Sequence, residues 1–186
     1  MSRIHDKFTG VAGLVEPFLA WPDGRIEKLP VSHNTILSSA NGIVSRLVAG
    51  ESSYVPTHIL FVTGSAKIDG APAAESDYSD LVPSGSTVLA CPIQAKTVHP
   101  AVNTVVFTAH SGVSEGSTSR QDFNQSFVRA ILAVKSNGQY IPFSAYNFNT
   151  KYSVGNTSDS ASIGLFWSLS FGIQTQTQTQ TQTQAS

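Results

Sequence analysis

The residues of this chain that could carry chemistry are five histidines, one cysteine and a thin scatter of carboxylates. The histidines are His5, His33, His58, His99 and His110. No two stand four apart on a helix, and none has a cysteine at ligand spacing, so no zinc site is predicted. A Walker loop, a G-x-G-x-x-G turn and a D-x-D-x-D-G calcium loop are absent from the sequence. Asp69-Gly70 and Asp77-Tyr78-Ser79-Asp80 read as turn chemistry, because Asp accepts hydrogen bonds from nearby backbone amides. Glu115 and Asp122 flank a polar loop. A glycosidase needs two carboxylates in one cleft, but acids in such a loop read first as solvated charges. Cys91 precedes Pro92 in an apolar run and reads as buried packing rather than a reactive thiol.

Aromatic rings could instead bind a sugar, and Trp21, Trp167, Tyr140 and Tyr146 are the candidates. Trp167 shares its alternation with Leu165 and Leu169, which places it in a core. Trp21 stands beside a turn and is the candidate exposed binding ring. The chain is therefore expected to be no enzyme, to bind no metal, organic cofactor or small-molecule substrate, and to show no hydrolase activity.

The 186 residues fit one domain with appendages, long enough to bury a core without disulfides or metal. Charged residues make up only 12%, about half the usual share for globular chains. Neutral polar faces of this kind can meet other chains without desolvating many charges. The net charge of −1 gives no basic field for nucleic acid or anionic lipid. No apolar run approaches a membrane span. Residues 1–10 lack the apolar stretch of a signal peptide. A single cysteine excludes an intrachain disulfide.

These residues are carried by short strands and one helix. Pro22-Asp23-Gly24 between Glu16–Trp21 and Arg25–Val31 signals a hairpin, preceded by a mixed stretch over Phe8–Val15. Ile36, Leu37, Ala40, Ile43, Val44, Leu47 and Val48 form one apolar stripe at helical period. The stripe predicts a helix over about residues 34–49, capped by Asn34 or Ser32 and ended by Gly50. Thr57–Thr63 reads as a buried strand and residues 67–86 as a loop. Thr87–Val98 and Val102–Ala109 read as a hairpin around His99-Pro100. Residues 111–121 read as an exposed loop. Phe127–Lys135 and Gln139–Phe148 flank Asn137-Gly138, the strongest hairpin signal in the chain. Asn149–Ser160 reads as a polar connection.

The C-terminal segment is the most unusual. Ile163, Leu165, Trp167, Leu169, Phe171 and Ile173 alternate with smaller or polar residues, apart from Phe166, and the parity passes into Thr175, Thr177, Thr179, Thr181 and Thr183. One strand of that extent would run roughly 70 Å, longer than a domain of this size. The bland reading of the Thr-Gln repeat is a low-complexity tail. The sharper reading is a strand. No apolar residue offsets the entropy of ordering it, so an ordered tail must be paired by another chain. Thr175, Gln176, Thr177, Gln178, Thr179, Gln180, Thr181, Gln182, Thr183 and Gln184 are therefore expected to be extended and in contact with another chain, foremost another copy. The division expected is an N-terminal arm at 1–15, a β-sandwich with one helix at 16–173, and an extended tail at 174–186.

The order of elements resembles a group of tailed-bacteriophage particle proteins found in tail fibres, collars and necks. The carriers are Asn34-Thr35-Ile36 through Leu47-Val48-Ala49-Gly50, then Thr57-His58-Ile59-Leu60-Phe61-Val62-Thr63-Gly64, then the closing run Ser160 to Phe171. These motifs specify packing rather than chemistry, and they span about residues 16–171. The resemblance implies an antiparallel β-sandwich with a packed helix, used to dock in a virion. It implies a homo-oligomer that contacts other virion structural proteins. A receptor- or glycan-binding module of a tail fibre and a capsid decoration protein are the alternatives.

Overall fold

The computed structural model describes residues 4–64, 70–112, 126–153 and 161–177, and of 4–9, 149–153 and 173–177 the backbone alone. In chain order the elements are β1 (Ile4–Ala20), β2 (Ile26–Lys28), β3 (Ser32–His33), β4 (Thr35–Ile36), α1 (Ser39–Val48), β5 (His58–Thr63), α2 (Tyr78–Leu81), β6 (Val88–Pro92), β7 (Ala95–His99), β8 (Thr104–His110), β9 (Ser126–Ser136), β10 (Gln139–Ser153) and β11 (Ser162–Thr177). They build two antiparallel sheets. The first runs β2-β1-β11-β8-β7, with β3 also on β1, and the second runs β4-β10-β9-β5-β6. The fold is a β-sandwich with a packed helix, as the alternation and the single long apolar stripe predict.

The core between the sheets takes Val15, Phe107, Leu165, Trp167 and Leu169 from the first and Ile59, Phe61, Leu132 and Phe143 from the second. From α1, Ala40 and Ile43 are buried in it, and Val44 and Leu47 pack against it half-buried. All six residues of β5 are buried because the second sheet is covered on both faces. Leu60, Val62, Ile131 and Ala133 point to a second cluster, closed by Leu37 and by Leu81 of α2.

The helix is shorter than its stripe. Thr35 and Ile36 pair with β10, and the Leu37 amide donates to the Phe143 carbonyl at 3.0 Å. The first two apolar residues of the stripe thus belong to a strand edge. Ser38, not Asn34 or Ser32, is the N-cap, and its side chain makes no capping bond. The other end follows the expectation. Gly50 has φ +89°, Glu51 N–H donates to Arg46 O and Gly50 N–H to Leu47 O, which is a Schellman cap.

Three further differences are physical. Residues 87–98 are not one strand: Ile93 N–H bonds Thr57 O in the second sheet, and Gln94 N–H bonds Thr108 O in the first. Pro92 is still paired with His58 in the second sheet, and the chain changes sheets between Ile93 and Gln94. Inside the expected loop 67–86, α2 is held by a capping box: Asp77 accepts from the Ser79 and Asp80 amides, and Asp80 accepts from the Asp77 amide. Finally, the Asn137-Gly138 hairpin forms as expected, with φ +50° and +77°, the two positive values of a type I′ turn.

Candidate functional site

The N- and C-terminal strands lie side by side. β1 pairs with β11 from Ala20↔Ser162 out to Ile4↔Thr177. Within the sandwich this pair is flanked on both sides. β8 covers β11 only from Gly164 to Ser170, and the last bond on that edge runs from Phe171 N–H to Asn103 O at 2.9 Å. On the other side β2 and β3 cover β1 from Leu14 to Ala20, and Asn34 N–H adds a bond to Gly13 O. Beyond these points, Ile4–Ala12 and Gly172–Thr177 continue as a two-stranded ribbon. Among the described residues no third strand flanks either edge. Six residues of β11 on that edge span about 17 Å.

The ribbon starts at a bulge. The register passes from Phe8↔Ile173 to Gly10↔Gly172 and skips Thr9, and Gly10 has φ +104°. Above the bulge the odd residues Val11, Gly13 and Val15 stand opposite Phe171, Leu169 and Trp167. Below it the even residues Phe8, Asp6 and Ile4 stand opposite Ile173, Thr175 and Thr177. The extra residue keeps Phe8 in register with Ile173.

Part of the tail is extended, and one of its edges is occupied from within the chain. Gln174, Thr175, Gln176 and Thr177 are extended, but on one edge their ladder partner is the chain's own Lys7, Asp6, His5 and Ile4. The N-terminal segment expected to be an arm supplies the amides assigned to another chain, because β1 begins at Ile4 and not near residue 16. Gln178, Thr179, Gln180, Thr181, Gln182, Thr183 and Gln184 lie outside the described residues.

At the root of the ribbon, Val98, Pro100, Asn103, Val105 and Phe171 line an apolar notch of about 320 Å³. Val98 and Val102 beside it are 59% and 65% exposed. A second hollow, about 570 Å³, lies between Asp77, Tyr78 and Ser79 at the start of α2 and Gly138, Gln139 and Tyr140 at the β9–β10 turn.

The aromatics considered for a sugar platform are dispersed, and Trp167 lies in the core as its alternation predicts. Trp167 is fully buried, and Tyr146 lies in the same core. Trp21 is half-buried rather than exposed, with the Arg25 guanidinium 4.7 Å from its ring centroid. Tyr140 lines the second hollow with Tyr78. Cys91 is fully buried, and burial pushes its thiol up to about 12.

Of the histidines, His33 lies on β3, His58 on β5, His99 at the end of β7 and His110 at the end of β8. His58 Nδ1 lies 2.8 Å from Thr57 Oγ1, and His110 Nδ1 accepts from Gly112 N–H. Among the described residues no group of three His, Cys, Asp or Glu could hold a metal ion, and no helix is long and apolar enough to cross a membrane. Gly112-Val113-Ser114-Glu115-Gly116 has the G-x-S-x-G spacing of a nucleophile elbow, which requires a strand before it and a helix after it. β8 ends just before it, but residues 113–125 lie outside the described residues, and Glu115 and Asp122 with them.

Two polar arrangements were not legible beforehand. The Asn34 side chain sits between the Gly13 carbonyl and the Trp167 indole, placed to bond both. Arg129, 7% exposed, donates from Nε to Asn147 Oδ1 at 2.7 Å and from Nη1 to the carbonyls of Asp80 and Leu81. It thereby ties the end of α2 to the second sheet. A basic residue in the apolar strand run 127–135 was the signal for that tie.

No protein-family model, no curated protein and no solved structure matches the chain.

Proposed function

We propose that this protein is a structural component of a tailed-phage particle, at a neck, collar, tail or fibre attachment. It acts by oligomeric assembly and docking rather than by catalysis, and resides in the virion. The β1–β11 ribbon carries the reading. An isolated pair of strands is marginal in water, and unflanked edges are templates for further strands. A fold that extends such a pair beyond its own sheet supports a role completed by another chain. The low charge of the whole sequence agrees. The resemblance to particle proteins names the setting.

The test compares the full chain with one lacking residues 174–186, by light scattering and circular dichroism. The full chain should be multimeric. The shortened chain should keep its sandwich and lose mass. A monomer in both cases refutes assembly through the ribbon. For the setting, antibodies against the chain should label tailed particles in electron micrographs; unlabelled particles refute it.

A second reading rests on the hollow lined by Tyr78 and Tyr140, whose two tyrosines and polar rim suit a sugar. It makes the protein a receptor- or glycan-binding module of a fibre. Glycan binding lost in Tyr140→Ala would favour it.

A further inference from the structure

We infer that copies of this chain join head to tail, the open edge of β11 in one copy pairing with the open edge of β1 in the next, until the ribbons close into a barrel. This rests on the assembly reading above and specifies its partner and geometry.

Among the described residues, each copy has two open edges at the same end of the first sheet. They are Ile4–Ala12 on one side of the ribbon and Gly172–Thr177 on the other. A partner that pairs with only one edge leaves the other exposed. A two-fold dimer through β11 does so, and so does a two-fold dimer through β1. A head-to-tail contact uses both edges of every copy, and a closed ring leaves none. All neighbouring strands in that ring are antiparallel, since β1 and β11 already run antiparallel within the chain. Two strands per copy put closure at roughly three or four copies, about six to eight strands.

The occupant is a second copy of this chain. The ladder within the chain shows that these two sequences accept each other as antiparallel neighbours over their whole length. The contact between copies repeats that pairing on their outer edges. Charge points the same way. Asp6 and Lys7 are the charged residues of the β1 segment, while Gln174, Thr175, Gln176 and Thr177 are neutral. In the head-to-tail order β1 has only neutral neighbours. A two-fold β1 pair centred on Asp6 would set like charges opposite each other, which is destabilising. The apolar notch at Val98, Pro100, Val105 and Phe171 lies where the β11 edge opens, beside the point of entry of the added strand.

The test uses the full chain in two single variants, Asp6→Cys and Thr175→Cys, with the native Cys91 buried. They are expressed separately and together and oxidised to form disulfides, which join directly paired strands but cannot bridge strands two apart. Head-to-tail pairing predicts cross-linked dimers when both variants are present and none with either alone. Dimers from Thr175→Cys alone mean a two-fold β11 contact and overturn the inference. Dimers from Asp6→Cys alone do the same for β1. A multimer that cross-links in no combination overturns the inference and leaves assembly through another surface. A monomer by light scattering overturns both.

Discussion

The Asn34 amide meets the Trp167 indole inside the sandwich. With its nitrogen turned to the Gly13 carbonyl at 3.2 Å, its oxygen accepts from Trp167 Nε1 at 2.5 Å. Trp167 is wholly buried, so its N–H needs a partner within the protein. The space for the amide exists because residue 13 has no side chain: a Cβ there would overlap the Asn34 amide. Asn34 lies before the helix and Trp167 in the last strand, and the fold brings these distant stretches together.

Asn34→Leu should therefore cost about 1–3 kcal/mol, the penalty of a buried donor left unpaired. Gly13→Ala should be as harmful, through the clash. Urea unfolding followed by Trp fluorescence measures both. A neutral Asn34→Leu would show that the indole finds another acceptor.

The helix should be sensitive at one position more than another. Ile43 is 2% exposed and Leu47 only half-buried. Ile43→Ala should cost about 2–5 kcal/mol. Leu47→Ala should cost clearly less, because part of its surface stays in water in the folded state. Equal losses in chemical denaturation would mean that α1 packs differently.

Where the sequence was readable, one element made one pattern. The alternation of Ile163 to Leu169 marks a half-buried strand, and Asn137-Gly138 marks a type I′ turn. Reading failed where a pattern was shared. Ile36 and Leu37 continue the helical stripe, yet the Phe143 carbonyl takes the Leu37 amide and ends it. β1 was hidden because one bulged residue shifts its alternation by one at Thr9–Gly10. The notch is made by residues from β7, β8, β11 and the 3-10 turn at Pro100–Val102, and no local signal could collect them. The nearly continuous apolar run of β5 did announce a buried strand, though not a sheet covered on both faces. The cover itself, four residues of α2 and Leu37, is too short for a period.

The Cys91 thiol should be silent in the native protein. Burial alone raises it to about 12, so almost no thiolate exists at neutral pH. A disulfide reagent at pH 8 should label it only after denaturant is added. Fast native labelling would mean that the β5–β6 edge opens.

The α2 cap should weaken in acid. The Ser79 hydroxyl first, and then the Asp80 amide, hold the Asp77 carboxyl below its ordinary value. A lowered folded-state value favours the fold above the unfolded-state pKa. That contribution is lost as pH falls through the folded value. Amide exchange at Ser79 and Asp80 should rise in that range relative to the strands. Asp77→Ala should show the same rise at neutral pH and remove its acid dependence.

The bulge sets how the ribbon leaves the sandwich. Gly10 has φ +104°, and a Cβ built there meets nothing within 4 Å, so the obstacle to a side chain is backbone strain and not contact. A β-branched residue avoids that conformation, at roughly 1–2 kcal/mol. Gly10→Val should relieve the strain by giving up the bulge. Without the skipped residue, Phe8 loses its register with Ile173, and the rows from Ile4 to Lys7 shift by one against Gln174–Thr177. The sandwich above keeps β2, β3 and β8 as flanks and should be untouched. Hydrogen exchange checks this row by row: amides of residues 4–8 and 173–177 should exchange faster in Gly10→Val, while those of Val15 and Trp167 keep their protection. Loss of protection at Val15 and Trp167 as well would show that the bulge belongs to the sandwich and not to a separable ribbon.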